Sequence, residues 1–85
     1  MTLRYKTQGT CSRQILLEME GTTVKSVVFE GGCHGNLQGV AKLCQDRDAR
    51  ELIQMLKGIR CGFKATSCPD QLARALEKAL QQAEE

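Results

Sequence analysis

Val24-Lys25-Ser26-Val27-Val28-Phe29-Glu30, followed by Gly31-Gly32-Cys33-His34-Gly35-Asn36, holds the change of period on which the fold turns. The first seven residues are rich in valine and read as a β-strand, since branched side chains suit a pleated surface. The glycines then break the pattern. Beyond them Leu37, Val40, Ala41 and Cys44 recur at helical spacing. The chain therefore changes from strands to helices at Gly31-Gly32.

Upstream of this point the pattern is all strand. Leu3, Tyr5 and Thr7 share one face, with Arg4 and Lys6 on the other. Ile15, Leu17 and Met19 alternate with Gln14, Leu16 and Glu18, giving one apolar and one mixed face. Glu20-Gly21-Thr22-Thr23 is a turn, because Gly21 can take a positive φ. Downstream, Asp46 or Asp48 is a cap for a second helix whose stripe is Ala49, Leu52, Ile53 and Leu56. Gly58 is its stop signal. Ile59 to Ala65 reads as irregular or briefly extended. Thr66-Ser67-Cys68-Pro69-Asp70 opens a third helix, with Pro69 at the first position. Its buried face is expected to be Leu72, Leu76, Ala79, Leu80 and Ala83, and Arg74, Glu77 and Lys78 are expected to be solvated. The fold class is α+β: a small antiparallel three-stranded sheet, then three helices packed on one face. Residues 1–85 form one domain, without internal repeats or linkers.

The chain has 85 residues, and domains this short bury only about 60–65 % of their unfolded surface. Its aromatic residues are Tyr5, Phe29 and Phe63, with no Trp. A metal or other staple would support so small a core. The 12 basic and 10 acidic residues are interspersed, for a net charge of +2, so there is no polybasic stripe. The few aromatics also argue against a stacking platform for single strands, and nucleic acid is disfavoured as a direct partner. No signal peptide or membrane span is expected, which points to a cytoplasmic protein. With His34 the only histidine, a Ser-His-Asp set finds no second candidate, and a complete enzyme is not expected.

The five cysteines are the chemical feature. In a reducing compartment they point to metal or redox chemistry, and their odd number argues against a fully paired disulfide framework. Cys11 follows Gly9-Thr10 between strands, and Cys33 follows Gly31-Gly32. Cys61 lies past a helix end before Gly62, and Cys68 opens a helix. Thiolates at such turns and helix starts gain from backbone N–H groups and the helix dipole. Together the four form a candidate zinc site, with iron or an iron–sulfur cluster as the alternative. Successive members are separated by 21, 27 and 6 residues, without a Cys-x-x-Cys knuckle. Cys44 falls on the first helix stripe and reads as a core residue. His34 reads as an exposed turn residue, with a ligand role in place of one cysteine as the alternative. The Gly31–Asn36 turn could cradle an anion such as a nucleotide phosphate. It lacks both the P-loop ending and the dinucleotide fingerprint, so a tight turn with Asn36 capping the helix is preferred.

Thr66-Ser67-Cys68-Pro69-Asp70 spells TSCPD and resembles the signature of the TSCPD domain family, short proteins with four recurrent cysteines. The resemblance extends over Tyr5-Lys6-Thr7, Gly9–Ser12, Val28–Leu37, Gly58–Gly62 and Gln71-Leu72-Ala73, nearly the whole chain. It implies that Cys11, Cys33, Cys61 and Cys68 form one site and that Cys44 lies outside it. Related domains end vitamin-B12-dependent ribonucleotide reductases. The resemblance thus implies a metal-binding or thiol-relay accessory role beside those oxidoreductases of DNA synthesis, with a protein partner. It does not imply ribonucleotide reduction itself, which needs a barrel and a cobalamin site far larger than this chain. Three functions are expected in order: a zinc module that binds a partner, a thiol relay resting on Cys61 and Cys68, and an iron–sulfur carrier or scaffold.

Overall fold

The computed structural model describes residues 1–32 and 34–84, with backbone alone for His34, Ala83 and Glu84. Three strands, β1 (Thr2–Lys6), β2 (Ser12–Glu20) and β3 (Thr23–Gly31), precede three helices, α1 (His34–Cys44), α2 (Ala49–Leu56) and α3 (Cys68–Glu84). The sheet is antiparallel in the order β1-β2-β3. This is the α+β arrangement that the change of period predicts.

Register follows from burial. Leu3 lies opposite Leu17, Tyr5 opposite Ile15, and Ile15 opposite Phe29. These side chains line the inner face, where a one-residue slip would turn every one of them to solvent. Two irregularities adjust the alternation. Glu18 pairs with Ser26 but Met19 with Val24, so β3 carries one extra residue at Lys25. That bulge lets Val24 and Val27 both face inward, and both are buried. A second shift, between Ser12 and Gln14, places the extra residue Arg13 in β2. It turns Ser12 inward, and Ser12 is buried.

The β2–β3 hairpin turns at Gly21, φ 60°, as its sequence predicts. Asp48 caps α2 by accepting a hydrogen bond from Arg50 N at 3.1 Å, which settles the choice between Asp46 and Asp48. Asp46 instead takes φ 63°, and residues 46–49 hydrogen-bond to Thr22 and Val24 beside the start of β3. Gly58, φ 91°, follows α2 as its stop.

Two terminus expectations are corrected. Asn36 is the third residue of α1 and not its cap. Gly31 and Gly32, at φ 82° and 80°, complete the reversal early, so the helix begins at His34. Pro69 is the second residue of α3, not the first. Ser67 is the cap, its hydroxyl accepting from Asp70 N at 3.2 Å. Proline is tolerated there because that N–H has no partner within the helix either.

The core joins Leu3, Ile15, Leu17, Met19, Val24 and Val27 of the sheet to Cys44 of α1, Ala49 and Leu52 of α2, and Leu72, Ala75, Leu76 and Ala79 of α3. Cys44 is 2 % exposed, and burial pushes its thiol pKa up despite the opposing pull of Arg47. It is the core residue that its helical spacing predicts. Leu80 packs at the edge of the core, and the Ala83 side chain lies outside the described residues. Arg74 and Glu77 depart from a purely solvated face. Arg74 Nε pairs with Asp70 at 2.9 Å, and Glu77 accepts from Lys57 Nζ at 2.8 Å. Among the described residues no helix is long and apolar enough to cross a membrane.

Candidate metal centre

The two connections that carry described cysteines, β1–β2 and α2–α3, meet the start of α3 at one site. The β1–β2 connection carries Cys11. Thr7 closes it, its N–H donating to Arg13 O at 3.1 Å and its hydroxyl to Ser12 O at 2.5 Å. Gln8 N donates to Gln71 Oε1 at 3.1 Å, which ties the connection to the first turn of α3. Gly9, φ 73°, packs so tightly that a Cβ there would stand 3.0 Å from Thr66 Cγ2. A side chain at this glycine would crowd Thr66 across the site.

Cys61 sits in the connection between α2 and α3, whose residues 57–65 are all exposed. Polar groups at the start of α3 hold it in place. Asp70, fully buried, accepts from Gly58 N at 2.7 Å, from the Thr66 hydroxyl and from Arg74 Nε. Ser67 Oγ donates to Ile59 O at 2.6 Å, and Cys61 N donates to Thr66 O at 3.2 Å. Gln71 Nε2 donates to Thr66 Oγ1 at 3.0 Å. The TSCPD pentapeptide thus supplies a latch for the Cys61 loop as well as a thiol. Burial alone would raise the Asp70 pKa. The hydrogen bonds from Thr66, Gly58 and Arg74 outweigh it and hold the carboxyl down to about 2. The reading of the cysteines alone misses Thr66, Ser67, Asp70 and Gln71. Their signal is a cluster of short polar residues at the start of an otherwise apolar-striped helix, where capping and side-chain-to-backbone bonds are expected.

Cys68 is the first residue of α3, a helix of 17 residues whose N-terminal dipole favours an anion. Ser12, turned inward by the bulge at Arg13, places its Oγ 3.3 Å from Cys68 Sγ. Cys11 Sγ lies 3.9 Å from Cys68 Sγ. Burial works to raise the Cys68 pKa. Hydrogen bonds from the Ser12 side chain and backbone, Cys11 and Thr10 outweigh it and lower the thiol below its ordinary value. The thiolate that metals and disulfides both attract is therefore favoured here.

A cavity of about 30 Å³ is lined by Thr10, Cys11, Cys61, Lys64, Ser67 and Cys68. Three of the four predicted cysteines share it, although Cys11 and Cys68 are 57 positions apart. None of these three is in a disulfide. Cys33 and the His34 side chain lie outside the described residues. Gly32, which precedes Cys33, stands against the site: a Cβ on it would lie 3.2 Å from Cys11 Sγ. Among the described residues no three His, Cys, Asp or Glu side chains stand close enough together to hold a metal ion.

One sulfur pair nonetheless has the spacing of a thiolate metal site. Four thiolates at a Zn–S distance of about 2.3 Å make a tetrahedron with sulfur–sulfur edges of about 3.8 Å. The Cys11–Cys68 separation of 3.9 Å matches one such edge. Cys61 would need to approach from the wall of the same cavity, on a loop latched in place beside it.

No curated protein and no solved structure gives a significant match to this chain. A family match covers residues 2–80 of the 85 and includes all of these connections and the latch. On that match, in agreement with the placement of the TSCPD pentapeptide at the cavity, the chain belongs to the TSCPD domain family.

Proposed function

We infer that this chain is a small metal-binding accessory module in which Cys11, Cys33, Cys61 and Cys68 hold one zinc ion. The observation that carries this reading is the 3.9 Å contact of the Cys11 and Cys68 sulfurs in a cavity that Cys61 also lines. The position of Gly32 against Cys11 Sγ supports counting Cys33 as the fourth donor. Bound zinc would supply a cross-link among three connections and the start of α3, and no redox chemistry of its own. The chain's residues prepare the site: the Ser12 hydrogen bond lowers the Cys68 thiol pKa and the α3 dipole favours its anion, and Asp70 and Ser67 hold the Cys61 loop. The partner in this reading is a ribonucleotide reductase, in keeping with the resemblance to its C-terminal domains. Elemental analysis of freshly purified, untagged protein tests it, with about one zinc per chain expected. Protein that carries no metal and takes up none when offered zinc would overturn it. Visible absorption after anaerobic reconstitution with iron and sulfide would move the assignment to an iron–sulfur carrier.

A thiol relay is the second reading. The same short sulfur–sulfur distance favours it, with Cys11–Cys68 as the pair in place of Cys61–Cys68. Here the two thiols become one disulfide, passing two protons and two electrons to an oxidised dithiol protein. A Cys11–Cys68 disulfide with a potential near about −270 mV would support it, and four thiols inert to mild oxidant would exclude it.

A further inference from the structure

The chain has three aromatic residues, and it does not use them alike. Tyr5 and Phe29 pack against the core, whereas Phe63 is fully exposed. In a small domain short of apolar bulk, one aromatic ring left wholly in water is a loss to the core. Phe63 sits in the Cys61 loop next to Gly62, φ 58°, with Ile59 also exposed. The loop is held rather than loose. Gly58 N bonds to Asp70, Ile59 O to Ser67, Cys61 N to Thr66 O, and Lys64 N to Cys61 O at 3.0 Å.

Charge in the sequence flanking the ring is of one sign. From Leu52 to Pro69 the sequence contains no acidic residue but has Lys57, Arg60 and Lys64. Lys57 is paired with Glu77, whereas Arg60 and Lys64 make no ion pair among the described residues. An aromatic anchor beside unpaired cations on a pre-organised backbone is the composition of an interface hot spot.

We propose that the Ile59–Lys64 loop is a docking knuckle for an acidic protein surface, with Phe63 entering an apolar pocket and Arg60 and Lys64 meeting carboxylates at its rim. Charge complementarity sets the sign of the partner. A single exposed ring and two cations give too short a track for a nucleic-acid strand, which needs successive stacking platforms along a basic groove. Ile59, Arg60 and Phe63 lie outside the lining of the thiol cavity, whereas Lys64 borders both.

The test uses the full chain and a fluorescein-labelled 12-residue peptide of alternating glutamate and leucine, followed by fluorescence anisotropy. Controls are the same peptide with glutamine in place of glutamate, and an oligodeoxythymidine of equal length. The glutamate peptide is expected to bind, and the glutamine peptide at least about tenfold more weakly. Phe63→Ser is expected to weaken binding at least about tenfold while leaving metal content and melting temperature unchanged, since the ring touches no core residue. Arg60→Gln with Lys64→Gln is expected to weaken it similarly and to flatten its dependence on salt. Absence of peptide binding at millimolar concentration, unchanged binding by Phe63→Ser, or displacement of the peptide by the oligodeoxythymidine overturns the proposal.

Discussion

Asp70 shows how much one side chain can organise in a small chain. Its buried carboxylate accepts a backbone N–H, a hydroxyl and a guanidinium N–H. Asp70→Ala would leave those donors without their acceptor, and removing one member of such a buried charged network costs about 3 kcal/mol. Urea denaturation should show that loss, and exchange of the Gly58 amide with solvent should accelerate. The same residue sets an acid limit. Its pKa is about 2 when folded against an ordinary 3.8, so its stabilisation is fully present above about pH 4 and is lost as pH falls through about 2. The shift corresponds to about 2 kcal/mol. Wild type should therefore lose more stability between pH 5 and pH 2 than Asp70→Asn does, by about that amount.

The cysteines divide at the same scale. Cys44 lies in the core with its thiol pKa raised, so Cys44→Ala should cost about 1 kcal/mol and leave zinc content intact. Serine in place of Cys11, Cys33, Cys61 or Cys68 should abolish stoichiometric zinc and destabilise far more. Thermal melts paired with metal analysis on all five variants check the division, and equal effects at all five would contradict it.

Among the elements, the turn from β3 into α1 has the least tolerance. Gly32 has φ 80°, and a Cβ there would lie 2.9 Å from Leu37 Cδ1 and 3.2 Å from both Cys11 Sγ and Ser12 N. Gly32→Ala thus meets backbone strain and steric conflict together, for an expected loss of about 2 kcal/mol. Gly21→Ala meets the strain alone, since nothing lies within 4 Å of its Cβ position. The difference between the two variants in melting temperature and zinc affinity isolates the crowding around the cysteine cavity. The bulge at Arg13 belongs to the same scale. It rotates Ser12 from the alternating pattern into hydrogen-bonding reach of Cys68.

For the whole molecule, the sheet and helices share one core but their connections rely on polar contacts at the cysteine end. An ion bound there only by the folded chain adds its binding energy to folding, apparently about 10–16 kcal/mol for structural zinc in small peptides. Removing zinc with a chelator should lower the melting temperature by tens of degrees or unfold the chain, with recovery on zinc addition. Calorimetry with and without chelator checks this, and identical traces would mean that the core suffices alone.

The sequence by itself determined the element types, because strand and helix periods are local properties readable over a few turns of chain. Leu3, Ile15, Leu17 and Leu72 fall on the faces that their spacing predicts. It also singled out Cys44 as a core residue and the glycine turn as the junction between strands and helices. Which sulfurs meet was decided only by the tertiary structure. Cys61 and Cys68 are near in sequence, yet among the described residues the sulfur in hydrogen-bonding contact with Cys68 belongs to Cys11. Distance across loops depends on hairpin register, a bulge at Arg13 and the latch at Asp70, and none of these leaves a period in the sequence. The burial of Asp70 was hidden for the same reason, since an acidic residue in a first helical turn ordinarily faces water.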